Sequence, residues 1–131
     1  MTKKELKELK GLSRGEVVSL YSAIREIKSG NLDKEAMVAY VLLRVKLKGI
    51  HDDFEKARAE ISEQTKPAGW KEGDPVTEWN KSFSEIMQKW LDEKTDIDAK
   101  VLSTDSCVSL ITSNPDLPGS IGDVIMAYMN K

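Results

Sequence analysis

Asp33-Lys34-Glu35-Ala36-Met37-Val38-Ala39-Tyr40-Val41-Leu42-Leu43-Arg44-Val45-Lys46-Leu47-Lys48-Gly49-Ile50, running on without a proline to Gln64, is the stretch that decides the fold. Asp33 has the short acceptor side chain that satisfies free amides at a helix start, and Lys34, Glu35 and Ala36 are good helix formers. Met37, Tyr40, Leu43, Leu47, Ile50, Phe54, Ala57 and Ile61 then recur at gaps of three and four, close to a heptad. The spacing predicts one helix over 34–64, roughly 45 Å long at 1.5 Å per residue, with one face packed along another helix. Gly49 costs about 1 kcal/mol relative to alanine in a helix interior, which leaves room for a bend there. Arg44, Lys48, Asp52, Lys56 and Glu60 step by four along another face, as in a solvated surface laced with ion pairs.

On the N-terminal side, Ser13-Arg14-Gly15-Glu16 forms a capping box, in which the serine hydroxyl and the glutamate three residues on satisfy each other's amides. Val17, Leu20, Tyr21, Ile24 and Ile27 follow at helical spacing before Gly30, which predicts a helix over 14–29. Thr2-Lys3-Lys4-Glu5 repeats the box for a short helix through Lys10, closed by Gly11; residues 1–12 are expected to be a mobile N-terminal piece. On the C-terminal side, Thr65 to Asp74 reads as a loop by its Pro67, Gly69 and Gly73. Asp74-Pro75 suits an N-cap followed by the first helical residue, where proline's missing amide costs nothing. Val76, Trp79, Phe83, Ile86 and Trp90 predict a helix over 75–93 that pairs with the long one as an antiparallel hairpin. Asp96 to Val101 alternates with period two, as a short strand or extended edge would. Ser103 is expected to cap a short helix carrying Val108, Leu110 and Ile111. Asn114 to Gly119 is a rigid turn, and Ser120-Ile121-Gly122-Asp123 offers a cap for a last helix.

The expected fold is therefore mainly α: a three-helix core from 14–29, 34–64 and 75–93 with a long antiparallel helical hairpin, plus a small C-terminal α or α/β appendage over 94–131. All 131 residues are expected to form a single domain, with 13–93 as the helical core.

Composition removes several classes of function. One histidine and one cysteine exclude zinc fingers, CxxC motifs and disulfide frameworks. The longest apolar run, Ala36 to Leu43, is far short of the ~20 residues of a membrane span. With no signal-peptide pattern and a single Cys107, a cytoplasmic protein is expected, or one assembled into a phage particle made in a cytoplasm. The net charge of -2 conceals an asymmetry: residues 1–48 hold 11 basic and 6 acidic side chains (+5), and residues 49–131 hold 9 and 16 (-7).

Few constellations are suited to chemistry. In His51-Asp52-Asp53, neighbours on a helix point in different directions, so the tripeptide does not build an oriented base. Asp92, Glu93, Asp96 and Asp98 lack the order of a calcium loop and read as a solvated acidic corner. No catalytic residue, metal ligand or cofactor is assigned, and no small-molecule substrate is evident. Trp79 and Trp90 belong to the apolar face of the third helix. Trp70 lies in the Gly/Pro loop between Lys66 and Lys71, where it either plugs the end of the hairpin or faces a partner. The three residues are the candidate partner-binding site. Lys3, Lys4, Lys7, Lys10, Arg44, Lys46 and Lys48, with Arg14, Arg25 and Lys28, would serve nucleic-acid binding if they converged on one face.

Tyr21-Ser22-Ala23-Ile24, Phe54-Glu55-Lys56-Ala57-Arg58, Glu78-Trp79-Asn80-Lys81-Ser82-Phe83 and the acidic piece from Asp96 to Leu102 resemble, in order and spacing, a small phage-encoded helical family of unknown function. The resemblance spans about residues 17–111. It implies a non-catalytic role in particle assembly or host interaction and supplies no site residue. The expected function is a non-enzymatic interaction or assembly module with a protein partner or a second copy of itself; the alternative is a small nucleic-acid-binding accessory protein.

Overall fold

The computed structural model describes residues 11–131. Its order is α1 (Arg14–Ile24), α2 (Lys34–Thr65), α3 (Thr77–Asp92), α4 (Thr104–Thr112) and α5 (Gly119–Val124), the last continuing into a π-helical turn at Ile125–Met129. The protein is mainly α, and the described residues contain no strand. No helix among them is long and apolar enough to cross a membrane. The predicted N-terminal helix and its capping box lie outside the described residues.

α1 starts as its sequence dictates. Glu16 N donates to Ser13 Oγ and Ser13 N to Glu16 Oε1, both at 3.1 Å. It ends earlier than expected, with Arg25 as C-cap rather than near Ser29. Ile27 N turns back to Ile24 O at 2.9 Å, which buries Ile27 beneath the bend. Asn114 then clamps the chain: its Oδ1 accepts from Lys28 N at 3.1 Å, and its Nδ2 donates to Lys28 O at 2.9 Å and Leu110 O at 2.8 Å. Gly30 follows at φ 56, a left-handed conformation, where a side chain would also collide with Ser113.

α2 begins at Asp33, whose carboxylate accepts from Ala36 N at 2.8 Å, and is helical throughout its 32 residues, Gly49 included. Its inner face meets α1 first. Val17, Leu20 and Ile24 pack with Tyr40, Leu43 and Leu47, and the cluster is closed by Ala99, Leu102, Cys107, Leu110, Ile125 and Met129 from the C-terminal region. Burying each of the larger side chains contributes about 1.5–3 kcal/mol, so this cluster dominates the fold. Tyr40 joins it because its hydroxyl has carbonyls to donate to, Ile27 O at 3.3 Å and Ile24 O at 3.5 Å.

Beyond Ile50, α2 leaves that cluster and packs on α3. Of the predicted stripe only Ile61 is buried there, and Met87 is the one buried side chain of α3, while Phe54, Ala57, Trp79, Phe83 and Trp90 are half-buried. α3 begins at Thr77 rather than Pro75, capped at Val76 by no side chain. The expected cap is otherwise engaged: Asp74 Oδ2 accepts from Lys71 N at 2.8 Å, holding the preceding turn.

Of the two forms expected for 96–101, a short strand or an extended edge, the strand is absent. Thr95 N donates to Leu12 O at 2.7 Å, and an isolated bridge pairs Ser13 with Lys94, so the segment is an extended tie between α3 and the start of α1. A second isolated bridge, Leu102 with Asn130, joins the chain end to the residue before α4's cap. Ser103 caps α4 as predicted, with Ser106 N at 3.2 Å from its hydroxyl. Ser120 is not a cap; α5 opens on Pro118, whose carbonyl accepts from Ile121 N at 3.0 Å. The C-terminal appendage thus combines helices with extended segments, without a strand, and is built into the core.

Candidate interaction surface

The residues expected to carry function are largely engaged in structure. Trp70 is half-buried and donates its Nε1 to Pro75 O at 3.1 Å. Its ring stands edge-on to Trp79 at 4.9 Å, and Trp79 Nε1 reaches back to Ser62 O at 2.9 Å. Lys66 Nζ lies 5.8 Å over the Trp70 ring, while Lys71 is exposed. Trp70 closes the end of the hairpin, and Lys66 covers it.

Among the described residues, the basic side chains do not form one face. Lys3, Lys4, Lys7 and Lys10 lie outside the described residues. Arg14 pairs with Glu93 at 2.6 Å and stacks over Trp90 at 4.5 Å. Arg44 is turned inward, donating to the Arg25 carbonyl with its guanidinium 5.7 Å from the Tyr40 ring. Lys46 and Lys48, two residues apart on a helix, point to opposite sides. Lys48 is held by Asp52 at 3.1 Å, and this hydrogen bond raises its ammonium pKa.

The acidic corner is likewise occupied. Asp92 accepts from Gln88 Nε2 at 2.8 Å, Glu93 holds Arg14, and Asp98 accepts from Lys100 N at 3.0 Å. No group of His, Cys, Asp and Glu among the described residues is placed to hold a metal ion. His51 lies in a ladder of rings, 5.0 Å from Tyr21 and 6.2 Å from Phe54, with Phe54 6.1 Å from Trp90. Cys107 is sealed in the core, and burial pushes its thiol pKa up.

Among the described residues, the outer side of α2 carries a row of exposed apolar side chains. Val38, Val41, Leu42 and Val45 are 52%, 48%, 56% and 64% exposed. Their spacing of i, i+3, i+4 and i+7 places them on one ridge, opposite the buried Tyr40, Leu43 and Leu47. Single exposed apolar residues are ordinary, but these four form a contiguous stripe, on the order of 300 Å², comparable to the largest patch of a typical monomer. Beside it Tyr21, Val41, Arg44, Val45 and Lys48 line a hollow of about 220 Å³, too small for a typical ligand but suited to one or two side chains. Gly49 extends the ridge with open space where a side chain would stand. Farther along, the same side of the helix turns to Asp52, Asp53, Lys56, Glu60 and Glu63, and the apolar character ends.

Sequence periodicity misses this surface because Ala36 to Leu43 is apolar all round, so the heptad selects an inner face and the remaining apolar residues are counted as packing. The available signal was the continuation to Val45, beyond what one buried face requires. Comparison with known proteins finds no matching family model, no matching curated protein and no matching solved structure.

Proposed function

We propose that the protein is a non-enzymatic protein-interaction module whose contact surface is the outer ridge of α2, not the Trp70 loop. The observation that carries this reading is the stripe Val38, Val41, Leu42 and Val45. It sits on the part of the helix whose opposite face is locked into the core, so its side chains are presented on a rigid element and binding requires little ordering. The non-enzymatic part is supported by the placement of the sole imidazole among aromatic rings and of the sole thiol in the core. The phage-like sequence words make particle assembly or host contact the setting in which such a surface would act.

The test is the double variant Val41→Glu, Val45→Glu, which changes only exposed positions and leaves the circular dichroism spectrum and melting temperature near those of the parent chain. The parent is expected to bind a protein, its own copy or another, that the variant does not. Indistinguishable behaviour of the two, in both self-association and capture from the source cells, overturns the reading.

A further inference from the structure

We propose that the ridge is filled by a second copy of this chain, its α2 lying antiparallel across the first about a two-fold axis level with position 43. This rests on the reading of the ridge as a contact surface and adds the identity of the occupant.

The argument is in the register. Lys34, Val38, Val41, Val45, Lys48 and Asp52 follow one another at gaps of four, three, four, three and four, the seam of a two-stranded coiled coil. The three valines are flanked on one side by Lys34 and on the other by Lys48 and Asp52. Lys34 and Asp52 stand nine residues either side of position 43. Reversing the second helix about that point therefore sets Lys34 of each copy opposite Asp52 of the other, twice by symmetry. The same operation sets Val41 opposite Val45 and lays the aliphatic stem of Lys48 along Val38. Leu42 of both copies then meets beside the axis.

A parallel pairing would instead stack Lys34 on Lys34, Lys48 on Lys48 and Asp52 on Asp52, like charges directly opposed. The existing bond from Lys48 Nζ to Asp52 Oδ2 at 3.1 Å leaves the other carboxylate oxygen of Asp52 for the incoming Lys34. The ridge also lies about half a helical turn from the buried line of Tyr40, Leu43 and Leu47, so two copies meet back to back. Four half-exposed side chains per copy are fewer than a standard interface of roughly 800 Å² per partner contains, so the pair is a reversible one.

Sedimentation equilibrium of the full chain from roughly 1 to 500 μM tests the proposal. A monomer–dimer equilibrium is expected, with the dissociation constant raised tenfold or more in Val41→Glu, Val45→Glu. Lys34→Asp and Asp52→Lys should each weaken pairing, and the two together should restore it. An effect confined to the Lys48–Asp52 bond would not be restored. Mixing Val41→Cys with Val45→Cys should give the mixed disulfide in preference to either self-disulfide, the buried Cys107 remaining unreacted. Self-disulfides favoured at both positions, or failure of the double charge reversal to recover pairing, overturns the register. A strict monomer that still binds another protein through the valines overturns the second copy and leaves the interaction surface standing. A strict monomer that binds nothing overturns both.

Discussion

The two halves of α2 are one continuous helix in two different settings. From Lys34 to Ile50 the inner face is sealed, with Tyr40, Leu43 and Leu47 at 1%, 3% and 0% exposure, and the outer face is apolar as well. From His51 to Thr65 only Ile61 is buried, at 8%, and the outer face is charged. The half that needs no further burial for its stability is the half that carries surplus apolar surface. The half with the thinner interior has an outer side that water satisfies. Surplus apolar surface on the best-anchored segment is what a contact site requires, whereas on the thinly packed segment it would invite misfolding.

Truncation of the inner face should break this contrast most clearly if it is wrong. Leu47→Ala is expected to cost about 3–4 kcal/mol in urea denaturation, because the cavity forms in a core closed on all sides. Ile61→Ala, in the thinner interior between α2 and α3, should cost about 2 kcal/mol. Equal losses would mean that the two halves are equally consolidated.

Asn114→Ala comes next, at about 1.5 kcal/mol, since two hydrogen bonds to Lys28 in the α1–α2 connection and one to Leu110 O of α4 disappear together. The loss should appear in hydrogen exchange at the α1–α2 connection while leaving α3 unchanged.

Tyr40→Phe should cost about 1 kcal/mol at neutral pH, and it also sharpens the comparison through pH. Burial raises the Tyr40 pKa above its ordinary 10.0. The folded state therefore holds the phenol proton more tightly than the unfolded chain does. This contribution is complete below the unfolded pKa and is lost as pH rises toward the folded one. Stability of the parent chain should fall above about pH 10 more steeply than that of Tyr40→Phe. Cys107, raised from 9.0 by the same cause, remains in both chains and cancels from the difference.

The smallest effect is expected outside: Val45→Lys, at an exposed position, should change stability by less than about 0.5 kcal/mol at low protein concentration. A loss as large as that of Leu47→Ala would show the ridge to be part of the core.

Much of this architecture was legible because the sequence states it locally. Ser13 with Glu16, Asp33, and Ser103 all cap the helices they were expected to cap, since a cap needs only its own first turn. The long helix and its inner stripe followed from period alone. What was not legible depends on partners far along the chain. α1 ends short of a connection that Asn114 clamps at Lys28, and Asp74 leaves α3 uncapped to hold its own turn. The exposed ridge of α2 was missed for a related reason. In Ala36 to Leu43 nearly every position is apolar, so pattern cannot distinguish the residues that α1 covers from those that nothing in the described chain covers. Trp70 illustrates the converse: a large aromatic in a polar loop draws attention by composition, yet its indole N–H and both flanks are already committed.

The ring ladder gives the molecule a natural division of optical labels. Trp70, Trp79 and Trp90 all stand along the hairpin, whereas Tyr21, Tyr40 and Tyr128 line or flank the main core. Indole emission therefore watches the hairpin, and phenol absorbance watches the core, with no added dye. Trp90, six ångströms from Phe54 and capped by Arg14, reports on the joint between them. If the hairpin loosens before the core, emission will shift at a lower denaturant concentration than the tyrosine signal, and one titration with two wavelengths will resolve the order in which the halves of α2 let go.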